Sequence, residues 1–494
     1  VKEHPILALD MQTMLEVARM EFTGVKPNIP MMKKKIDFYN QQIDSHDADL
    51  GINCGSSKQC VEYLQKYIDP AITSSSSGVL TAYDSDPRVV KIIESKMYRT
   101  RRGLMVSMSD TNLHPWDNRI HPTFNQLLNT GRFACKEPNM QQIPKDIKNS
   151  VYMSSDDTII FDTDYAAVEL RLCSVADNDE EFLHGYQQNI DQHYATAAKL
   201  FDKKIPKTHE EKVDAEENPN TVFVNKWQRG FGKTANFSLI YGCHWTSFVA
   251  MIQASRQSDM TEQQIIEMYN KFFDIHKGVR DTIERAKNIF MYGEDKKITR
   301  WVRFKNGTLH KMENKVVPFF TTCKTLLGRI LTVDTERKLM NFPVQGSGSD
   351  TIKLAICRMG HITRKENTQY NTINIVHDDA IGESYYKHFD RSSEVFRSSM
   401  EWAVNFILRR KFYTPVNQDF CVLSLLGEEI FLEEAFTLKD IDTKLVERIQ
   451  ELVENSNNEE DPEKKTNLII EANRVHKLLE KFRDKVKDLP SYSA

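Results

Sequence analysis

Residues 159–172, IIFDTDYAAVELRL, set the tightest limit on what this chain builds. Ile159, Ile160 and Phe161 form an apolar run of the length that makes a buried strand, and the run ends on Asp162 and Asp164. A second stretch has the same grammar: Ile373, Ile375 and Val376 lead into His377, Asp378 and Asp379, followed by Ala380 and Ile381. Adjacent acids between apolar flanks predict a tight hairpin that holds both carboxylates up. If the two strand ends meet, Asp164 and Asp378 supply hard oxygen donors of the kind Mg²⁺ prefers. A lone aspartate near a strand end is more often the cap of a neighbouring helix or turn, so the pairing needs independent support.

That support comes from residues 229–242, RGFGKTANFSLIYG. Arg229, Lys233, Phe237 and Tyr241 recur every fourth residue, so a helix would align them in one stripe, two cations followed by two aromatics. Cations suit phosphates, and flat rings suit a base or sugar. The bland alternative is a solvated basic turn leading into two core aromatics.

With these three stretches together, the chain resembles the family A DNA polymerases. The family's motif A, roughly DYSxxELR, is matched by DYAAVELR at 164–171. Its motif B, RxxxKxxxFxxxYG, is matched at Arg229, Lys233, Phe237, Tyr241 and Gly242, and its motif C, HDE, by His377, Asp378 and Asp379. TGRFACKEPNMQQIP at 130–144, NFPVQGSGSD at 341–350, TLLGRIL at 325–331 and GINCGSSKQCVEYL at 51–64 also resemble family segments, in the family's order.

The resemblance implies an α+β right-hand fold with palm, fingers and thumb. The palm would carry an antiparallel sheet, and a C-terminal helical extension would follow. The expected division is a palm-edge helix at 1–30, thumb at 31–128, palm at 129–178 and fingers at 179–340 with an insertion around 296–325. Palm would resume at 341–436, and the extension would fill 437–494. The implied activity is template-directed addition of deoxynucleotides to a primer 3′-OH with release of pyrophosphate, using two Mg²⁺ ions for which Mn²⁺ can substitute. Asp164 and Asp378 would bridge the metals, with the backbone carbonyl of Tyr165 as a further ligand. Asp379, one methylene shorter than the family's Glu, would support them. Arg229, Lys233 and His193 would hold the triphosphate, Lys233 would also donate a proton to the leaving pyrophosphate, and Phe237 and Tyr241 would pack on the incoming nucleotide. Glu169 would fill the space of a ribose 2′-OH. Arg132, Asn139, Gln141, Arg337, Asn341, Gln345 and His377 would contact primer and template. Glu383, further along the motif C strand, is a weaker third acid.

Composition matters chiefly for what it excludes. No apolar run approaches the ~20 residues of a membrane span, and residues 1–5 lack a signal-peptide layout. Eight cysteines without a CxxC pair argue against a zinc site or a disulfide framework. The expected setting is therefore intracellular: bacterial or host cytoplasm, or an organelle matrix. The net charge of −4 carries no nucleic-acid signal, so charge placement has to. Val1 in place of Met suggests a trimmed chain, and no exonuclease segment is expected within it.

Along the chain, Leu7, Met11, Met14, Leu15 and Ala18 predict a helix with an apolar stripe. The run Ser74 to Ser77 reads as a flexible polar tip. The following Arg88, Lys91, Lys96, Arg99, Arg101 and Arg102 read as a cationic helix gripping a DNA backbone, against the alternative of a solvated face. Residues 203–220 read as an exposed loop and the insertion as a β-hairpin. Leu438, Ile441, Leu445, Ile449 and Leu452 form one helical stripe, and Leu468, Val475, Leu479, Phe482 and Val486 another. A hairpin packed on its own palm is the simpler reading of these two stripes, and a docking site for a replication partner is the other. Two further functions compete. A single-subunit RNA polymerase would be expected to lack a gate such as Glu169, and a non-catalytic nucleic-acid clamp would be expected to have lost Asp164, Asp378 or Lys233.

Overall fold

A computed structural model describes residues 5–218, 220–254, 260–294, 296–303, 309–317, 319–368, 370–409, 411–418, 421–425 and 428–493. The strand Thr158–Tyr165 is central in the largest sheet. It pairs antiparallel with Asp379–Tyr385 on one side and with Cys421–Leu425 on the other, and Val416–Asn417 covers its last two residues. Tyr370–Val376 and Glu428–Leu432 form the sheet's two edges. Ile159, Ile160 and Phe161 are all fully buried, without the alternation of a one-faced strand, as expected where both faces of the sheet are covered. Phe161 meets Phe389 and Phe396 edge-on, with centroids 5.5 and 5.0 Å apart, beneath the helix Phe389–Ile407.

The first helix, Pro5–Thr23, forms where expected but turns the other way. Its buried face is Ile6, Leu9, Thr13, Val17 and Met20, whereas Leu7, Met11, Met14, Leu15 and Ala18 are exposed. Thr13 fits the core because its hydroxyl donates back to the Leu9 carbonyl at 2.8 Å. At the sheet's flank, Arg329 grips both oxygens of Asp10 at 2.7 and 2.8 Å and bonds Asp350 at 2.7 Å. Lys353, fully buried, donates to Asp10 at 2.9 Å. This network ties the first helix to the long helix Glu336–Glu366.

A second, smaller core of Leu50, Cys54, Cys60, Leu64, Ile72, Leu80, Val89 and Ile92 lies within the segment expected to be the thumb. The cationic helix Pro87–Val106 is present, but its charges are spent internally. Arg88 pairs with Asp86, Lys91 with Asp49, Arg99 with Asp47 and Arg101 with Asp146, at 2.5–2.7 Å. Arg102 donates to Asn40, and Lys96 to the Ser75 carbonyl and hydroxyl. The serine run is thus no loose tip: Ser75 is buried and Ser77–Leu80 is helical.

Residues 203–220 are not simply a loop either. A capping box between Thr208 and Glu211 starts the helix His209–Glu217. In the insertion, Lys296–Arg303 pairs antiparallel with Leu309–Val317, as the alternation suggests, and residues 304–308 between them lie outside the described residues. The C-terminal helices Leu438–Asn458 and Pro462–Val486 pack on each other and join the main core through Leu438, Ile441, Leu445, Leu479 and Phe482. Phe482 also meets Tyr386, directly after the strand Asp379–Tyr385, so the hairpin packs against the body that carries the main sheet. Among the described residues no helix is long and apolar enough to cross a membrane.

Candidate active site

The register between the two strands ends with Thr163 opposite Ala380, so Asp164 and Asp379 are the next residues on their strands at the same sheet end, and Asp164 itself pairs with Asn417 on its other side. Val376 pairs with Asp379, so His377 and Asp378 form a two-residue turn. His377 is exposed, with φ 60°, a left-handed backbone that costs a non-glycine residue of order 1 kcal/mol. The hairpin therefore exists, but it does not hold its two acids alike. Asp378 is half-buried in the turn, whereas Asp379 is the first residue of the strand and is buried.

The electrostatics match this crowding. Burial, and after it the charge of Glu169, raises the Asp378 carboxyl above its ordinary range. Burial, then Asp162 and Asp164, pushes Asp379 much further, which favours its neutral form. Asp164 and Asp378 both bear on the phenol of Tyr165, which burial drives up first. Asp379 Oδ1 is buried and finds no hydrogen-bond partner among the described residues. Hard oxygens gathered at one sheet end, with Asp162, Asp164 and Asp378 all raising the proton affinity of Asp379, are a donor set a divalent cation relieves, so the residues fit Mg²⁺. Tyr165 is itself buried, its hydroxyl donating to the Met400 carbonyl at 2.9 Å. Glu383 is elsewhere: it pairs with Arg119 and accepts from Thr158, four residues or roughly 13 Å along the strand from Asp379. It is not part of this cluster.

Glu169 lies in the first turn of the helix Val168–Ala176, directly after the motif A strand. Arg132 forms an ion pair with it, and Tyr241 donates to its Oε2 at 3.2 Å. Burial, then Glu169, keeps the Tyr241 phenol protonated. Arg132, expected on primer or template, thus lies against the Glu169 carboxylate.

The motif B helix runs Lys226–Leu239, started by a capping box between Asn225 and Gln228. Arg229, Lys233 and Phe237 align on it, while Tyr241 follows its end and Gly242, at φ 69°, turns the chain. Arg229 is aimed by Asp191, which accepts from its Nε and guanidinium at 3.2 and 2.7 Å, and lies 5.1 Å from the Tyr194 ring centre. Asp191 also caps the helix Gln192–Leu200 through His193 and Tyr194 N–H groups. Its capping position is legible in the sequence, but its hold on Arg229 is not. Lys233 is exposed.

His193 packs 5.5 Å from Phe237, centroid to centroid. Burial chiefly lowers its pKa to about 4, so it is neutral at pH 7. Asn236 Nδ2 lies 3.2 Å from His193 Nδ1, and Asn236 Oδ1 accepts from Thr196. That arrangement makes Nδ1 the acceptor and leaves the proton on Nε2. The two helices approach closely because residue 232 is glycine: a Cβ there would lie 2.4 Å from the His193 carbonyl oxygen. Gly232→Ala is expected to cost about 1–3 kcal/mol of stability by overpacking, measured by thermal or urea unfolding, and to move Arg229 off Asp191.

The other expected contacts divide. Arg337, Asn341 and Gln345 recur at four-residue steps on the long helix, from exposed to half-buried. Asn139 instead caps the short turn Met140–Gln142, and Gln141 donates to the Ile375 carbonyl at 3.1 Å, bracing the motif C strand. Asn374, which the sequence did not single out, bonds the buried Tyr152 hydroxyl at 2.8 Å just behind Asp379. An asparagine inside an apolar strand run was the available signal.

Comparisons with known proteins bear on the family and the fold. The profile of DNA polymerase family A matches residues 28–418. DNA polymerase I of Caldicellulosiruptor bescii is 26% identical over 71% of this chain and 39% of its own length. That of Geobacillus stearothermophilus is 26% identical over 78% and 42%. The chain thus spans about two fifths of the length of these curated relatives. Among solved structures, the POL domain of Pol1 from M. smegmatis, in complex with DNA primer-template and dNTP, superposes with TM-score 0.64 at 18% identity, covering 83% of this chain and 69% of that one, which supports the fold. On the family match and the site's architecture, this chain belongs to DNA polymerase family A.

Proposed function

We propose that this chain carries out template-directed DNA synthesis, adding deoxynucleotides to a primer 3′-OH with release of pyrophosphate. The observation carrying this reading is that Asp164 and Asp378 both bear electrostatically on Asp379 and on Tyr165 at one sheet end, with Glu169 bearing on Asp378 and hydrogen-bonded to Tyr241. Relatives named DNA polymerase I support it, as does a fold neighbour that binds primer-template and dNTP.

In this mechanism Asp164 and Asp378 would hold divalent cations, Mg²⁺ or Mn²⁺, whose chemistry when bound would be to lower the pKa of the primer hydroxyl and offset the charge of the leaving pyrophosphate. Arg229, preoriented by Asp191, grips triphosphate oxygens, and the Lys233 ammonium sits one turn further along. His193 offers a neutral Nε2–H rather than a charge. Lys233 gives a proton to pyrophosphate as it departs. Phe237 and Tyr241 pack against the incoming base and sugar. Arg337, Asn341 and Gln345, with Arg132, Asn139, Gln141 and His377, are the primer-template set. Within that set, Asn139 and Gln141 act through the backbone they brace.

Glu169 is fixed from two sides, by Arg132 and Tyr241, and in this reading its side chain would lie where a ribose 2′-OH must go. Glu169→Ala is expected to raise ribonucleotide use relative to deoxynucleotide by at least about tenfold, or about 1.4 kcal/mol. Competitive primer extension reads that ratio, and an unchanged ratio removes the gate. The reading as a whole is tested by extending a primed template in Mg²⁺. Addition that follows the template base is expected, while primer-independent use of ribonucleotides would favour an RNA polymerase. We place the reaction in an intracellular, reducing compartment, consistent with eight free cysteines. A replication partner at the C-terminal hairpin would meet Val453, Ile469 and Ile470, the exposed apolar residues there.

A further inference from the structure

A cavity of about 970 Å³ opens at the far end of the palm, where Thr158 pairs with Tyr385. It lies six residues, roughly 20 Å, along the central strand from Asp164. Its wall includes His114, Asp117 and His121, and one donor atom from each lies within 4.8 Å of the other two. None of these residues takes part in the proposed polymerisation.

The loop that carries them is clamped. Ile120 bridges both Val25 and Leu113, and the His114 N–H donates to the Arg119 carbonyl at 2.8 Å. Asn118 turns the chain at φ 55° and donates to the His114 carbonyl at 3.0 Å. His114 and Asp117 are thereby folded back toward His121. The His121 ring is oriented from behind, its Nδ1 lying 2.7 Å from the backbone carbonyl of Glu21. A carbonyl and a carboxylate can each only accept, so Nδ1 donates to Glu21 and Nε2 to Asp117 Oδ2, 3.0 Å away, and a bound cation would take the place of the Nε2 proton. His114 Nδ1 lies 3.4 Å from the other oxygen, Asp117 Oδ1. An imidazole steered by a backbone carbonyl, with its second nitrogen facing a carboxylate and a second imidazole, is the arrangement metal-ligating histidines adopt.

We infer that His114, Asp117 and His121 form a Zn²⁺ site, with a fourth coordination position open to the cavity for water or a small anion. Two imidazoles and one carboxylate favour zinc over Mg²⁺, which prefers oxygen alone. Tetrahedral zinc with donors at about 2.0–2.2 Å places them about 3.4 Å apart. The His114 and Asp117 side chains, 49% and 42% exposed, are free to rotate inward by the remaining distance. The bound ion would staple the loop to the end of the first helix, beside the Arg119–Glu383 pair.

The test is equilibrium dialysis of the full chain against Zn²⁺ in millimolar Mg²⁺, with Co²⁺ absorption as a second readout of coordination. Wild type is expected to retain one Zn²⁺, and His114→Ala and His121→Ala to lower the affinity by about 100-fold or more. If His121→Ala unfolds through loss of its bond to Glu21, His114→Ala decides, because that ring is exposed. Asp164→Asn and Asp378→Asn should retain the ion, which separates this site from the polymerase reading. Failure of wild type to hold Zn²⁺, or unchanged affinity in His114→Ala, overturns the assignment.

Discussion

Replacing Asp378 with asparagine is expected to slow nucleotide addition about a thousandfold or more while leaving the protein folded. A carboxylate that holds the cations in the proposed reaction would contribute several kcal/mol through them, and each 1.36 kcal/mol is a factor of ten in rate. Asparagine keeps the shape and removes the charge. Because burial and Glu169 raise the folded-state pKa of Asp378, its ionised form opposes folding in the metal-free protein. The contribution has a definite sign: an acid with a raised folded pKa stabilises the fold as pH drops from that raised value toward the ordinary 3.8, and destabilises it above. Metal-free Asp378→Asn should therefore unfold at the same temperature as wild type or higher, at neutral pH. Rapid-quench primer extension gives the rate and calorimetry the stability. A variant that extends primers at the wild-type rate would remove Asp378 from the chemistry.

The second large effect is structural. Arg329→Met is expected to cost about 3–5 kcal/mol, because it leaves buried carboxylates with too little positive charge. Asp350 is fully buried, and burial raises its carboxyl despite Arg329, whereas the more open Asp10 is held below its usual range by Arg329 and Lys353 against the cost of its burial. Lys353 alone would remain to serve both acids. The Asp10 contribution is present above the ordinary carboxylate pKa and is lost as pH falls below it. Urea unfolding at pH 7 measures the loss, and a change within about 0.5 kcal/mol, the range of ordinary surface substitutions, would contradict the network's role.

These two residues illustrate what the sequence does and does not disclose. Asp378 was legible because chemistry fixes both residue type and local grammar: an acid at the end of an apolar strand run, with a matching acid elsewhere. The motif B stripe was legible for the same reason, since its helix starts and stops on local signals at Asn225 and Gly242. The Arg329 network was not, because Asp10, Arg329 and Lys353 meet only through tertiary packing. The first helix was read on the wrong face because Thr13 hides a core position and Leu7, Met11 and Met14 imitate one. The cationic helix looked free for phosphate, yet Asp47 and Asp49, some forty to fifty residues earlier, neutralise part of it. Periodicity reports which residues share a helix face, but not which face turns inward or which distant charge answers.

The central claim is that Asp164 and Asp378 jointly hold the cations that drive transfer. Counting bound Mn²⁺ by electron paramagnetic resonance, with a dideoxy-terminated primer-template and the matched dNTP, tests it most directly. Wild type should bind two more Mn²⁺ ions, magnetically coupled, than the Asp164→Asn, Asp378→Asn double variant. Equal counts in the two proteins, or uncoupled ions in wild type, would contradict it.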